Sequence, residues 1–138
     1  MIDQDCIFCK IAGGDIPSST IYEDEDFRVI LDVAPAAKGH ALILPKNHYE
    51  NLWTLGEEEA RKVLLLAAKI TAAQKKALSC DGINVLQNNG TAAGQSVFHF
   101  HMHLIPRYEN DQVEIPWKTL SYKEGEMEKV CDSIKAEL

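Results

Sequence analysis

The chain has 138 residues, which fits one domain, and a chain of that length buries roughly two-thirds of its unfolded surface without needing disulfides. Its 14 Lys and Arg against 21 Asp and Glu give a formal net charge of -7. This balance argues against binding a long phosphate backbone, because that requires a basic stripe. It does not exclude a mononucleotide, since a few backbone N–H groups and one cation can hold one.

No signal peptide or membrane span is predicted. The first seven residues contain no basic run ahead of an apolar stretch, as a secretory signal requires. Apolar stretches such as residues 63–68 are far shorter than the roughly 20 residues that span a bilayer. We therefore expect a cytoplasmic protein with neither a membrane nor a nucleic acid as its partner.

The chain has four cysteines, and the cytoplasm keeps thiols reduced. Cys6 and Cys9 have CxxC spacing, which in a cytoplasmic protein indicates a metal site or free thiols rather than a disulfide. Cys80 and Cys131 are predicted to be structural thiols.

Short elements are predicted in the first third of the chain. A mainly apolar stretch over residues 6–12 is closed by Gly13 and Gly14, a pattern that predicts one or two turns of helix. The β-rich runs that follow, the last of them bounded by Gly39 and Pro45, predict an antiparallel meander. Its strands cover residues 21–22, 27–31 and 40–44, with an acidic turn at residues 23–26.

A long helix is predicted next, covering one face of the sheet. Thr54 and Glu57 have the spacing of a capping box, and residues 57–79 are rich in helix formers with apolar residues such as Leu64 along them. The elements that follow are a strand over residues 83–86, an Asn- and Gly-rich loop over residues 88–94 and a strand over residues 96–105.

The C-terminal region predicts a second helix. Ser121 and Glu124 repeat the capping-box spacing. Apolar residues then recur at helical spacing and predict an amphipathic helix. These residues are Met127, Val130, Cys131, Ile134 and Leu138. The polar segment between Pro106 and Pro116 has no assigned element.

Three histidines alternate with apolar residues in the last predicted strand. His99, His101 and His103 take the odd numbers, and large apolar residues take the even numbers from 98 to 104. A period of two predicts a strand with three imidazoles on one face and core residues on the other. A lone histidine is more often structural than functional, but three in register, out of five in the chain, favour a functional site.

A single zinc ion cannot bind all three histidines. Alternate residues of a strand lie about 6.6 Å apart, and the outer pair lies about 13 Å apart. Zinc holds each nitrogen at about 2.1 Å. One or two of the histidines could bind a metal, and the others would then have a different role.

The segment before the histidines is suited to phosphate. Residues 90–96, Gly-Thr-Ala-Ala-Gly-Gln-Ser, predict a flexible turn whose backbone can approach an anion and which ends in amide and hydroxyl donors. A glycine-rich loop alone is a weak signal. Phosphoryl chemistry needs oriented donors for the phosphate oxygens beside a nucleophile. The loop supplies the donors, and the neighbouring imidazoles, which titrate near neutral pH, supply the nucleophile.

Residues 94–105, Gly-Gln-Ser-Val-Phe-His-Phe-His-Met-His-Leu-Ile, resemble the signature of the histidine triad (HIT) family, His-φ-His-φ-His-φ-φ with φ apolar. The resemblance runs from about Cys6 to Arg107 and has the order and spacing of the family's Hint branch. The further matching segments are residues 27–32, 34–35, 39–40, 44–46 and His48.

The resemblance implies an α+β fold with a five-stranded antiparallel sheet and one long helix, to which this chain adds its C-terminal helix. It also implies a symmetric homodimer. We expect one domain over residues 1–138, with the family core at about 6–107 and a C-terminal extension at 108–138.

The chemistry that the resemblance implies is nucleotidyl transfer to histidine. His101 would attack the α-phosphorus of a purine nucleotide conjugate and form a nucleotidyl-histidine that water cleaves. The carbonyl of His99 would orient the His101 ring, and His103 would contact the phosphate and the leaving group. The resemblance also implies that Ser96, Gln95 and the Gly94 backbone contact phosphate oxygens or the leaving amine. Asn88 would contact the phosphate, and Asp32 would bind the ribose hydroxyls. The base would be contacted by Phe8, Ile11, Ile30, Leu31 and Val33. For the five apolar residues an ordinary core role is an equal alternative.

A structural zinc site is implied by the same superfamily. Its zinc-bearing members use a CxxC pair and two histidines, the second being the first residue of the histidine motif. The ligands here would be Cys6, Cys9, His48 and His99, a closed four-coordinate site that catalysis does not require. A redox pair or two core thiols are the alternatives for CxxC. His40 is a candidate partner of the catalytic site or only a strand-end residue.

Three functions stay open on these grounds. The first is a purine nucleoside phosphoramidate hydrolase, which Gln95 and Ser96 favour. The second is a dinucleoside polyphosphate hydrolase, and the third is a nucleotide- or zinc-binding regulatory module with little activity. Trp117 and the C-terminal helix resemble the longer bacterial HIT proteins and bear on the substrate opening or the dimer, so the leaving group stays open.

Overall fold

The protein is described by a computed structural model that covers residues 2–115 and 117–138. Within these residues, five antiparallel strands form one sheet in the order β1-β2-β3-β5-β4, so the predicted α+β class is confirmed. Pro116, which bounds the unassigned polar segment, lies outside the described residues. The helices and strands are α1 (Ile7–Gly13), β1 (Thr20–Glu23), β2 (Phe27–Leu31), β3 (Ala41–Pro45), α2 (Glu57–Leu78), β4 (Gly82–Leu86), β5 (Met102–Arg107) and α3 (Glu126–Lys135).

The N-terminal helix and the first hairpin follow the predicted pattern. Gly14 ends α1 with φ of 91°, and its N–H donates to the Ile11 carbonyl at 3.1 Å. Glycine adopts that left-handed conformation without steric cost. In the acidic turn, Asp24 Oδ1 accepts from the N–H groups of Asp26 and Phe27 at 2.9 and 2.7 Å, an Asx turn that directs β2 back along β1.

One face of the sheet packs against α2. Gln74 of α2 is buried and donates to the carbonyls of Gly39 and Leu104 at 2.8 and 3.2 Å, which ties the helix to the central strands. Leu64, although apolar, is 65% exposed on the outer face of the helix. No helix in the described parts of the chain is both long and apolar enough to cross a membrane. The core consists of Phe27, Val29, Ala41, Ile43, Val63, Leu66, Ala67, Ile70, Phe100, Met102 and Leu104.

The predicted capping box at Thr54 and Glu57 is wrong. Gly56 is the N-cap of α2 and makes no side-chain capping bond. The Thr54 hydroxyl instead accepts from the Asn51 N–H and donates to the Asn51 carbonyl, both at 3.2 Å. Local turns of this kind compete with helix capping for the same hydroxyl.

The C-terminal helix is present but starts later than predicted. α3 begins at Glu126 with Gly125 as its N-cap, so the second capping box at Ser121 and Glu124 is also wrong. None of its residues, all of which the structure describes, is buried. A ten-residue helix is marginal alone in water, and in this single chain the apolar stripe of α3 is exposed. The exposed members of that stripe are Met127, Val130, Ile134 and Leu138.

The histidine segment is only partly a strand. We predicted a strand over residues 96–105, whereas β5 starts at Met102. Phe98, expected in the core, is 45% exposed. The Phe100 N–H donates to the Tyr49 carbonyl, so a loop contact replaces a sheet ladder at this point.

The prediction that all three imidazoles share one face is wrong for His99. Its side chain is fully buried, at 0% exposure, and lies against the cysteines of α1. His101 and His103 do line one cleft together. Because His99 and His101 precede the regular strand, its alternation does not constrain them.

Candidate catalytic and metal sites

A cleft of about 300 Å³ opens where α1 meets β2, β3 and the histidine segment. It has an apolar wall and a polar end that carries two imidazoles and one carboxylate. The predicted residues that line it are Phe8, Ile11, Ile30, Leu31, Asp32, Val33, Ser96, His101 and His103.

Strand register brings the polar end together. β3 pairs with β5 so that Leu42 lies opposite His103. His40 precedes β3, and its carbonyl accepts from the Asp32 N–H at 2.9 Å, just after β2. Asp32 and His40 therefore meet His103, which lies 63 residues after His40 in the sequence.

The ring of His101 is held in one orientation. Its Nδ1 lies 2.7 Å from the His99 carbonyl oxygen, which can only accept, so Nδ1 carries the proton and Nε2 carries the lone pair. The Phe8 ring packs edge-on against it, with centroids 5.0 Å apart. Burial lowers the pKa of His101, which favours neutral imidazole. The arrangement presents an unprotonated nitrogen to the cleft.

A hydrogen-bond chain sets the tautomers of His40 and His103. The Ala36 N–H donates to His40 Nδ1 at 3.0 Å, so His40 carries its proton on Nε2. That N–H donates to His103 Nδ1 at 2.9 Å, which leaves the His103 proton on Nε2. Burial, with smaller contributions from His101 and His40, lowers the pKa of His103 to about 4. His103 is thus a neutral N–H donor beside the His101 lone pair.

The same chain argues against a metal at this end of the cleft. Asp32, His40 and His103 bring three ligand atoms within 4.8 Å of one another. Metal binding at His40 Nε2 would move the proton to Nδ1, where it would face the Ala36 N–H donor. We therefore interpret this cluster as a hydrogen-bond network.

The four residues predicted as metal ligands form a second cluster. Cys6, Cys9, His48 and His99 place one ligand atom each within 4.8 Å of the others. Sulfur to nitrogen distances are 3.5 Å from Cys6 to His99, 3.4 Å from Cys9 to His48 and 3.5 Å from Cys9 to His99. In a tetrahedral zinc site, with bonds of about 2.3 Å to sulfur and about 2.05 Å to nitrogen, a sulfur ligand and a nitrogen ligand lie about 3.6 Å apart.

Protonation in this cluster also fits a metal. His99 Nε2 donates to the Pro45 carbonyl at 2.9 Å, which leaves the Nδ1 lone pair facing the thiols, as is usual for a metal-bound histidine. Burial lowers the pKa of His99 to about 4 and raises the pKa of the Cys9 thiol. A thiolate at Cys9 therefore needs a nearby cation.

The Gln95 side chain faces the protein interior and not the cleft. It is 2% exposed; its Oε1 accepts from the Gly90 N–H at 2.8 Å, and its Nε2 donates to the Glu50 and Val97 carbonyls at 2.6 and 3.1 Å. These bonds occupy the amide group that we expected on a phosphate. Gln95 instead fastens the loop that carries Ser96.

Gly94 and Asn88 lie beside the cleft and do not line it. The Gly94 N–H, which we expected on phosphate, donates to the Thr91 carbonyl at 2.9 Å, and its φ is 87°. A Cβ at Gly94 would lie 3.6 Å from Asn88 Nδ2. Of the predicted phosphate-binding loop, Ser96 is the residue whose position in the cleft suits direct contact.

Most of the chain matches one known protein family. The family model described as "HIT domain" matches residues 13–110. The chain belongs to the HIT family. It is 44% identical over 138 residues to "Protein hit" of Bacillus subtilis, covering 98% of this chain and 95% of that protein. It is 37% identical over 134 residues to "Adenosine 5'-monophosphoramidase hnt1" of Schizosaccharomyces pombe, covering 96% and 98%.

Solved structures of other HIT proteins share the fold. A HIT family member from Bacillus subtilis superposes with a TM-score of 0.91 at 43% identity, covering 98% of each chain. A structure described as a Zn-bound histidine triad family protein from Mycobacterium smegmatis gives 0.76 at 33% identity, covering 97% of this chain and 98% of that one.

Some residues that line the cleft of this HIT protein were not predicted from the sequence. They include Leu42, whose signal was available: it lies two residues after His40 in the predicted strand over residues 40–44, and alternate residues of a strand share a sheet face. Ser18 carried no comparable signal, because its place depends on how the chain leaves α1. The unpredicted lining residues are Pro17, Ser18, Ala34, Leu42 and Val97.

Acidification below about pH 6.5 is expected to destabilise the protein, partly through His103. Its pKa of about 4 in the folded protein lies below the ordinary value, so between these pH values the unfolded chain binds more protons. The free energy of unfolding therefore has its full value above about pH 6.5 and decreases as the pH falls toward 4. Protonation of His103 in the unfolded chain accounts for up to about 3 kcal/mol of this decrease.

Urea unfolding at several pH values, with the metal content held constant, measures how the free energy of unfolding depends on pH. The variant His103→Asn lacks the titrating group and should lose less stability on acidification than the wild type. Equal losses in the two proteins would contradict the assignment.

Proposed function

We propose that this HIT protein hydrolyses purine nucleoside phosphoramidates through a nucleotidyl-histidine intermediate. The observation that carries the proposal is the His101 ring, whose Nδ1–H is bound to the His99 carbonyl at 2.7 Å so that its Nε2 lone pair is free for attack. The name of the Schizosaccharomyces pombe relative, an adenosine 5'-monophosphoramidase, supports this substrate class.

In the first step His101 Nε2 bonds to the α-phosphorus, and the phosphorus–nitrogen bond to the leaving amine breaks. The amine takes up one proton, which the hydroxyl of Ser96 at the cleft can relay from solvent. His103 Nε2–H donates to a phosphoryl oxygen and stabilises the charge that develops there.

In the second step a water oxygen bonds to phosphorus as the bond to His101 Nε2 breaks. The water loses one proton, which balances the proton gained by the amine, and the nucleoside monophosphate leaves. The chain from Ala36 through His40 keeps the His103 donor in place during both steps.

The remaining cleft residues fit a nucleoside. Asp32 Oδ1 accepts from the Ala34 N–H at 2.9 Å, which leaves Oδ2 for the ribose hydroxyls. Phe8, Ile11 and Ile30 offer an apolar wall to the base. A volume of about 300 Å³ is at the small end of ligand pockets, which favours a single nucleotide over a dinucleotide. Asn88, Gly94 and Gln95 would shape the phosphate loop without direct contact.

We further propose zinc as the ion of the four-ligand cluster. Cys6, Cys9, His48 and His99 would hold it in a closed site, where it would supply a cross-link between α1 and the histidine segment. The chemical steps above use only protein groups and water.

Turnover of a substrate panel tests the proposed activity. Adenosine 5′-phosphoramidate should be hydrolysed with a higher kcat/KM than a diadenosine polyphosphate. A reversed preference would favour the second hydrolase function considered above. Nucleotide binding with no turnover of either compound would favour the regulatory module.

We also propose a symmetric homodimer. β4 lies at an edge of the sheet, and Val85 on it is 46% exposed. An unpaired edge can join its two-fold mate, and the exposed stripe of α3 adds apolar surface.

Light scattering is expected to give twice the chain mass of 15.4 kDa, and Val85→Arg should shift the protein toward monomer. Leu64→Arg, a matched change at an exposed position of α2, should not. A wild-type protein of 15.4 kDa at micromolar concentration would contradict the dimer.

A further inference from the structure

The metal cluster and the catalytic cleft share α1. Phe8 lies between Cys6 and Cys9 in the sequence, and its ring lines the cleft. That ring packs edge-on against both imidazoles, with centroids 5.0 Å from His101 and 6.0 Å from His99. A shift of the thiols would therefore move a side chain that touches the nucleophile and the base wall.

His99 joins the two sites by a second route. Its Nδ1 lies 3.5 Å from the sulfur atoms of Cys6 and Cys9, while its backbone carbonyl accepts from His101 Nδ1 at 2.7 Å. The side chain of one residue thus belongs to the metal cluster, and its backbone orients the nucleophile.

The position of Phe8 depends on what holds the start of α1. The helix has seven residues, too few for independent stability. Its C-terminal half is anchored, because Ala12 is fully buried against Ile30, Leu42 and Leu44. The N-terminal half is held by the packing of Phe8 on the same cluster and by Cys6 and Cys9, whose sulfur atoms lie 3.4 to 3.5 Å from the ring nitrogens of His48 and His99.

We propose that metal binding at Cys6, Cys9, His48 and His99 is thermodynamically coupled to nucleotide binding in the cleft, with Phe8 as the positioning residue that links them. The coupling rests on the proposed nucleotide-binding function and on the metal assignment. By linkage, each ligand tightens the binding of the other by the same factor, typically about 5- to 150-fold.

Competition with a chelator of known zinc affinity tests this on the zinc-loaded, full-length protein. Saturating AMP should raise the zinc affinity of the wild type by about fivefold or more. AMP binding is measured separately by calorimetry on the same sample. Zinc-loaded protein should bind AMP more tightly than chelator-treated protein by the same factor.

Two variants localise the effect. Phe8→Leu keeps an apolar residue but loses the ring contacts with His99 and His101, so the coupling factor should fall well below that of the wild type, leaving the contribution of the His99 backbone. Ile11→Leu alters the same cleft from the same helix, and Ile11 packs on the same cluster as Phe8. Ile11 has no ring to pack against His99 or His101, so the factor should be kept. Any direct binding of zinc by AMP affects all three proteins alike.

Each outcome supports or overturns one part of the proposed coupling. AMP binding with unchanged zinc affinity overturns the coupling and leaves the proposed function standing. Equal coupling in the wild type and Phe8→Leu overturns the role of Phe8. Absence of AMP binding to zinc-loaded wild type overturns the proposed function, and the coupling with it.

Discussion

His101→Asn is expected to lower kcat for adenosine 5′-phosphoramidate by at least about a thousandfold while leaving AMP affinity and stability close to wild type. An Asn amide can still donate to the His99 carbonyl, as His101 Nδ1 does at 2.7 Å. It has no lone pair equivalent to Nε2. The variant therefore removes the nucleophile and keeps the local hydrogen bond.

Single-turnover kinetics, calorimetry with AMP and urea unfolding measure these three effects. Mass spectrometry of protein quenched at alkaline pH detects the intermediate, because a histidine P–N bond breaks in acid. The wild type should accumulate protein carrying one nucleotidyl group, and His101→Asn should carry none. His103→Asn is the matched control, because it removes a neighbouring imidazole and keeps the nucleophile, so the adduct should still form. A wild-type kcat in His101→Asn would exclude the mechanism.

The double variant Cys6→Ser and Cys9→Ser is expected to lose its zinc, from about one ion per chain, and to lose about 3 kcal/mol or more of stability, roughly 10 °C in Tm. The reason is that the ion would tie α1 to His48 and His99. Because no chemical step passes through it, measurable hydrolysis should persist wherever the variant stays folded, with the loss mainly in KM.

Elemental analysis and activity assays on the same sample test this prediction. Cys131→Ser is the matched control, since Cys131 is exposed on α3 and should affect neither zinc content nor Tm. A zinc-activated hydroxide held by the triad would behave differently: chelation would stop turnover at once, and zinc would stay after both cysteines were lost. If wild-type protein grown with excess zinc contains none, the four-ligand assignment is wrong.

Local sequence patterns determined several parts of this protein. Gly14 ends α1 and the acidic turn at residues 23–26 closes the first hairpin as predicted, because both depend on backbone preferences over three or four residues. The His-φ-His-φ-His signature indicated the HIT family, which the family comparison confirms. The grouping of Cys6, Cys9, His48 and His99 also followed from that resemblance, and the structure brings the four together.

Tertiary structure alone decided where the polar side chains point. His99 leaves the face of the other two histidines because its ring meets Cys6, 93 residues away, and the Pro45 carbonyl, 54 residues away. Gln95 turns inward because the Glu50 carbonyl, 45 residues away, accepts its amide.

His103 becomes a donor only through His40, 63 residues away. Periodicity describes the backbone over one strand, whereas a buried polar group orients toward whatever partner the fold brings within hydrogen-bonding distance. The chemistry of the residues was therefore readable from the sequence, and the direction in which each one works was set by contacts between distant segments.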